Sequence, residues 1–305
     1  MDVSARLDSG VRPMSRGLDH VVHAVHDLDG AADVYTRLGF TVGARNRHPW
    51  GTHNRIVQLA GSFIEILTVA EPDKLGTEGV SLQFGARNRD FLARHEGLSF
   101  LMLESGDAPR DAAAFRAAGI GVSEALTFTR TGQGPDGGPV KVGFSLAFAQ
   151  DPRAPEIGFA VCRQLQPESF WNPVLQAHPN TAVRLAGVVL VADNPSDHHV
   201  FLSAFAGQRD LQATSSGITL KTSRGDIQVM DRAAFLAHFG AHPPDTTRGA
   251  RLAALRFAVR DLAAARSAIQ QGRLDPQERM GRIVVGPRAA MGATLAFEEG
   301  RRNAR

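Results

Sequence analysis

Two stretches far apart in the chain read alike: Leu18-Asp19-His20-Val21-Val22-His23-Ala24-Val25-His26-Asp27-Leu28 and Leu252-Ala253-Ala254-Leu255-Arg256-Phe257-Ala258-Val259-Arg260-Asp261-Leu262. Each is an apolar, strand-like run that ends in Ala-Val-x-Asp-Leu and continues into an alanine-rich helical segment. The aspartate is placed to cap that helix, because its carboxylate can accept from the free N–H groups of the first turn. A glycine follows each helix, Gly39 or Gly272, where a helix stop favours one. Internal similarity of this kind marks a repeated unit.

Beyond Gly39 come three strand-like runs: residues 40–45, 54–59 and 63–69. The unit is therefore βαβββ. A second copy spans 98–164, with its helix at 111–118 and Gly119 behind it. A third begins at 185–192, continues through a helix over 196–205 and closes with strands at 218–222 and 226–230. The fourth covers 251–297. Four such units predict an α+β chain in which modules pair into two domains, over 17–166 and 183–300. A proline-rich linker, 167–182, joins them, with a loose arm at 1–16 and a short tail at 301–305. One βαβββ unit has a helix on one face of its sheet and nothing on the other. Pairing two units curls the bare faces into a cup, the kind of concave surface that binds small molecules.

Composition narrows the function. The 305 residues are 43% apolar and 21% charged with a net charge of +3, which excludes disorder as the main state. Positive charge comes almost wholly from arginine, since Lys74, Lys141 and Lys221 are the only lysines, and no basic block exists that would grip a nucleic acid. Cys162 is the single cysteine, so a disulfide within the chain and a thiolate cluster are both excluded. No apolar run is long enough for a membrane span, and the first sixteen residues lack the apolar core of a secretory signal. A cytoplasmic protein is the expectation, and association as a homodimer is compatible with the sequence.

Strand parity selects the residues that face the first cup. If the more apolar side of each strand meets the helix, the cup receives His20, Asn54, Gln58 and Glu65, while His23 is packed and hydrogen-bonded on the helix side. An imidazole and a carboxylate on neighbouring strands, with amides beside them, suit a divalent ion or a hydrogen-bonded pair without one. Glu65 is also the candidate general base. His48 and His53 flank the turn Pro49-Trp50-Gly51-Thr52, which reads either as substrate contacts or as a tight turn; His53 is the candidate third ligand. In the second module the last strand turns Cys162 and Gln164 to the cup wall, and its first strand leaves open whether Ser99 or Phe100 matches His20. Trp171 is a candidate pocket wall from the linker. Arg130 is a candidate carboxylate contact, and the glycine-rich segment 132–139 reads as a hairpin, not as a phosphate loop. In the second half Gly187 and Ala254 stand opposite His20, and Gln228 and Ala296 near Glu65, so no His/Glu pair recurs. His198 and His199 are expected on an exposed helix.

The first module resembles the vicinal oxygen chelate superfamily and, within it, the glyoxalase-like domain family. The residues that carry the likeness are Gly17-Leu18-Asp19-His20-Val21-Val22, Asp27-Leu28, Leu38-Gly39-Phe40, the segment from His48 to Asn54, and Phe63-Ile64-Glu65. Phe170-Trp171-Asn172-Pro173 with His178-Pro179-Asn180 adds a second matching segment. The resemblance implies paired βαβββ modules of the glyoxalase/dioxygenase type. In many members it also implies a divalent metal (Zn, Ni, Mn or Fe), with ligands at positions matching His20 and Glu65. Relatives often carry a histidine near the end of the second module's last strand, where this chain has Arg163 and Gln164. Three functions stay open: metal-assisted lyase or isomerase chemistry on a small oxygenated metabolite, metal-free binding of a small molecule, and an extradiol-type dioxygenase that would use His20, His53 and Glu65.

Overall fold

The computed structural model of the protein describes residues 15–133 and 138–300. The arm up to residue 14, the glycine-rich tip at 134–137 and the tail at 301–305 lie outside the described residues. The first repeat opens with β1 (Leu18–Ala24) and α1 (Leu28–Arg37). Asp27 caps α1 by accepting from the backbone N–H groups of Asp29 and Gly30, and Leu28, Ala31, Ala32 and Tyr35 bury one stripe of the helix. Gly39, at φ 81°, makes the turn out of it.

The run at 40–45, expected as a strand, is not one. Only β2 (Asn46–Arg47) pairs with β3 (Thr52–Leu59). The linker occupies the edge instead: Thr41 donates its backbone N–H to His178 Nδ1 and its hydroxyl to the carbonyl of Ala177. β4 (Ser62–Val69) completes the module. A 3-10 turn, one π-type turn (Ser81–Ala86) and α2 (Arg87–Leu92) then lead to β5 (Gly97–Glu104). The second module adds α3 (Ala108–Ala117), β6 (Leu126–Gln133), β7 (Pro139–Ala149) and β8 (Gly158–Gln164). Its helix starts earlier than the expected 111, because Asp107 is the cap and Pro109 fits its first turn.

The linker forms α4 (Pro167–Phe170) and a 3-10 turn before β9 (Ala182–Val191). α5 (His199–Ala206), β10 (Leu211–Thr214), β11 (Gly217–Lys221), β12 (Asp226–Met230) and α6 (Arg232–Phe239) follow. The last module is β13 (Arg251–Val259), α7 (Leu262–Gln271), β14 (Gln277–Arg279), β15 (Arg282–Val285) and β16 (Thr294–Glu299).

The strands form two eight-stranded sheets, ordered β2-β3-β4-β1-β5-β8-β7-β6 and β10-β11-β12-β9-β13-β16-β15-β14. In each, two modules meet edge to edge through an antiparallel pair, β1 with β5 and β9 with β13, and inside each module the first and last strands are parallel. The fold is thus α+β, with two glyoxalase/dioxygenase-type domains. Among the described residues no helix is long and apolar enough to cross a membrane.

The helix-covered faces of both sheets share one core, which includes Tyr35, Phe40, Phe115, Phe159, Phe205, Phe257 and Phe297. Cross-ties staple the halves. His23 bonds Tyr35 Oη and the carbonyl of Met291, each at 2.9 Å. His198, expected on an exposed face, is buried and pairs with Asp151 at 2.6 Å, a contact between halves that sequence spacing cannot reveal. Arg16, expected within a loose arm, bonds Asp111 at 2.6 Å and the carbonyl of Phe205 at 2.9 Å.

The opposite faces are the two cups, and they differ. In the second, α6 lays Phe235 and Phe239 onto Val189, Val191, Ala254 and Ala296 and fills that part of the hollow, while Arg256, Arg282 and Glu298 line a polar cavity of about 320 Å³ beside it. In the first, the segment between β4 and β5 contributes Val80 and Phe84, with Leu75 packed against them, to the apolar lining. That cup stays partly open.

Candidate functional site

A cavity of about 40 Å³ lies in the first cup, between the two modules. Its polar lining is His20, His48, Asn54, Glu65, Arg130 and Cys162. Six rings, Trp50, Phe63, Phe84, Phe128, Phe144 and Phe170, form much of the wall, with Ile56, Val80, Met102 and Leu146 between them. The volume has room for roughly three water molecules.

β1 supplies His20, and a bulge supplies its partner. The pairing of β1 with β5 shifts register between Leu18 and His20, and such a bulge lets two successive side chains turn to one face. Asp19 Oδ1 therefore lies 2.6 Å from His20 Nδ1 although the two residues are adjacent. A carboxylate can only accept, so Nδ1 carries the proton and Nε2 presents its lone pair on the other side of the ring. That nitrogen stands 3.8 Å from Glu65 Oε2. The imidazole stacks on Phe63, with centroids 4.2 Å apart.

Glu65 comes from β4, and its other oxygen is held by a relay of amides. Asn54 Nδ2 donates to Oε1 at 2.5 Å, Asn46 Nδ2 donates to Asn54 Oδ1 at 3.1 Å, and Arg130 Nη1 donates to Asn46 Oδ1 at 3.1 Å. Burial pushes the Glu65 carboxyl up from its ordinary range, against the pull of His20, Asn54 and Arg130.

His48 and Trp50 reach the cup from the turn between β2 and β3. Gly51, at φ 88°, closes that turn, and a Cβ there would strike the carbonyl of Glu71. His48 Nδ1 meets Thr52 Oγ1 at 2.9 Å, its ring stacks on Trp50 at 4.7 Å, and its Nε2 lies 3.8 Å from Glu65 Oε1. Burial holds the His48 imidazole well below the usual histidine range, with Arg130 the next contributor, so the ring is neutral near pH 7.

His53, expected as a third ligand, does not enter the cavity. Asn54 and Ile56 take the cup face of β3, and the alternation of the strand sends His53 to the other face. Both its nitrogens are engaged there, Nε2 with Glu71 Oε1 at 2.9 Å and Nδ1 with Arg45 Nη1 at 3.4 Å. Gln58 lies on the cup-facing parity but serves the linker: it donates to the carbonyl of Phe170 at 2.7 Å and accepts from Asn172 N–H at 2.8 Å. This docking brings Phe170 to the cavity wall and leaves Trp171 behind it, packed against Phe63. Gln164 does not line the cavity; its Nε2 lies 3.4 Å from Asp19 Oδ2. Cys162 is buried, and burial together with Asp19 and Glu65 pushes its thiol well above the ordinary range, which disfavours a thiolate nucleophile.

Helix caps resolve the match between modules. Asp107 caps α3 as Asp27 caps α1, so Phe100 occupies the position of His20. The registers Val22 to Glu65 and Met102 to Ala160 then equate Glu65 with Ala160. Phe100 packs over Gly158, whose missing Cβ leaves space for the ring. The second module thus fills with a ring the place where the first presents its polar pair.

The donor set fits a divalent ion. Two atoms bound to one ion at about 2.1 Å each stand at most about 4.2 Å apart, and the His20–Glu65 separation of 3.8 Å is inside that limit. The lone pair of His20 Nε2 is aimed by Asp19, as ligating imidazoles are aimed in metal sites. Asp19, His20 and Cys162 also offer ligand atoms all within 4.8 Å of one another. Phe84, delivered by the π-type turn, and Asp19, turned inward by the bulge, carry no periodic signal in the sequence. Arg130 does appear there, as a lone arginine among many.

The family model described as Glyoxalase-like domain matches residues 18–205. No curated protein matches the sequence. A hypothetical protein from Staphylococcus aureus is similar in structure, with a TM-score of 0.63 and 14% identity, covering 93% of this chain and 99% of that one. A variant of 4-hydroxymandelate synthase from Streptomyces coelicolor aligns at a TM-score of 0.57 and 11% identity, over 95% of this chain and 94% of the other. A 2,2',3-trihydroxybiphenyl 1,2-dioxygenase from Sphingomonas wittichii aligns at 0.50 and 10%, over 94% and 91%. At such identities the likeness concerns the fold alone.

Proposed function

The chain belongs to the glyoxalase-like domain family, and we propose that its first cup is an enzyme site for a small oxygenated molecule, with a divalent ion held by His20 and Glu65. One observation carries this reading: His20 Nε2 faces Glu65 Oε2 at 3.8 Å inside a buried cavity, with the other nitrogen fixed by Asp19. When bound, such an ion supplies Lewis acidity, polarising a substrate oxygen and stabilising the negative charge that develops on it. The chemistry is of the lyase or isomerase kind, in which a proton leaves or moves beside a carbonyl.

The chain's own groups have distinct tasks. Asp19 orients His20, and Asn54 holds one Glu65 oxygen in place. His48, held neutral by burial and anchored on Thr52, is placed to hydrogen-bond a bound molecule through its Nε2. The six rings keep water from the reacting atoms. An extradiol-type iron site would need two imidazoles and a carboxylate. His53 faces Glu71, so His48 is the imidazole left to join His20 and Glu65 in that alternative.

Metal-free binding is the second reading, and it is supported by Phe100 and Ala160 standing where a second polar pair would be. Equilibrium dialysis of the untagged protein against Mn, Zn, Ni and Fe(II) separates the two. One ion per chain, lost in both His20→Ala and Glu65→Gln, is the expected result. Failure of the wild-type chain to bind any of these ions, or equal binding by the variants, overturns the metal reading.

A further inference from the structure

We propose that Arg130 is an anion-recognition residue at the mouth of this cup, and that an aromatic carboxylate binds where the cup meets its outer groove, with its charged end on the Arg130 guanidinium. The proposal rests on the reading above that the cup binds a small molecule, and it adds the chemical class of that molecule.

Arg130 is buried, with 9% of its surface exposed, and among the described residues no carboxylate lies within ion-pair distance of it. Its Nη1 is used on Asn46, whereas its Nε–H is buried without a partner. A guanidinium cannot shed its charge at neutral pH, and an unpaired buried charge is strongly penalised. Glu65 is linked to it through two intervening amides and attracts it through space, without a direct ion pair. A carboxylate arriving at Arg130 would supply the missing acceptor and the countercharge together, in the planar fork geometry that guanidinium and carboxylate share.

The surroundings define the rest of the ligand. Arg130 sits where the inner cavity meets an outer groove of about 540 Å³, and both hollows are lined by His48 and Arg130. Arg45 and Arg47 also line the groove. Arg45 is paired with Asp29, while Arg47 has no acidic group within ion-pair distance among the described residues. The approach is therefore cationic, which draws anions inward. At the junction the guanidinium carbon lies 5.8 Å from the centroid of the Phe144 ring, and Phe144 stacks with Phe128 at 5.4 Å. Phe128 is half-buried, with Trp50 at 4.8 Å and His48 at 5.9 Å as its other ring neighbours. A flat apolar body attached to the carboxylate would lie against the partly exposed Phe128 ring beside Arg130, which a small aliphatic acid would not reach.

The test uses the full chain, first treated with a chelator and then loaded with Zn, and reads binding by calorimetry. The probes are phenylacetate, its neutral isostere phenylacetamide, and acetate. Phenylacetate is expected to bind roughly 10-fold or more tightly than either of the others, as a charge-assisted contact implies. Arg130→Gln should bring phenylacetate and phenylacetamide to equal affinity, and Arg130→Lys should keep part of the preference. Thermal melts of both variants establish that they fold; if Arg130→Gln does not, the Lys variant and the wild-type probe series still decide. Absence of phenylacetate binding, equal binding of the amide, or a preference that survives Arg130→Gln overturns the proposal. A preference that appears only with Zn and ignores Arg130 puts the carboxylate on the ion; this inference then fails while the metal reading stands. An Arg130-dependent preference in a chain that binds no ion upholds the inference and removes the metal reading.

Discussion

Replacing His23 by Gln tests how the two halves are joined. The His23 ring is fully buried between Tyr35 and Met291. The carbonyl of Met291 can only accept, so Nε2 carries the proton and Nδ1 receives the Tyr35 hydroxyl. A second proton has nowhere to go, and burial lowers this histidine from 6.5 to about 4. The folded-state pKa lies below the unfolded one. Its stabilising contribution is therefore complete above 6.5 and is lost as pH falls toward 4. That gap is worth about 3 kcal/mol in all, and about 2 kcal/mol of it is lost between roughly pH 7 and pH 5. Urea unfolding of the wild type and His23→Gln at both pH values isolates it, because His48, His178 and the other shifted histidines are common to both chains. The wild type should lose about 2 kcal/mol more than the variant over that interval. Equal losses would refute the assignment of His23 as a neutral tie between the halves.

Three further outcomes follow from the packing around the site. Asp19→Asn keeps the shape but removes the charge that fixes the His20 tautomer, so metal affinity in a competition assay should fall about 10- to 100-fold; an unchanged affinity would contradict the role given to the bulge. Phe239→Ala empties part of the filled second cup and should cost about 3–5 kcal/mol in chemical unfolding, with metal and phenylacetate binding unaltered. Gly158→Ala drives a methyl group into the Phe100 ring and should destabilise by about 1–3 kcal/mol; a variant of wild-type stability would mean that Phe100 does not fill that place.

The repeat is legible in the sequence because three of the four modules enter their first helix through a short local signal, an aspartate cap after an apolar strand, supplied by Asp27, Asp107 and Asp261. The convergence of His20 and Glu65 is legible for a similar reason, since alternation holds along β4 and, from His20 to Val22, along β1. Parity misleads where the chain is irregular. Asp19 faces the cup only through a register shift, and His48 only through the turn between β2 and β3, whereas His53 obeys the alternation and points away. Residues 40–45 have the composition of a strand, but Thr41 bonds the linker and Gly43 is the residue that reaches β3, at the carbonyl of Ile56. His198 finds its acid in the other half of the chain. Each of these depends on a partner distant in sequence, which no local pattern encodes. The difference between the cups has the same origin: Phe235 and Phe239 look like ordinary helix residues until α6 is seen to lie inside the hollow.

Whether His20 and Glu65 share one ion is decided by crystals grown with Co(II) and measured at the cobalt absorption edge. One anomalous peak is expected in the first cup, bonded at about 2.0–2.2 Å to His20 Nε2 and to an oxygen of Glu65, and none in the second. A first cup without a peak at saturating cobalt, or a peak that contacts Asp19 and Cys162 but not Glu65, would contradict that assignment.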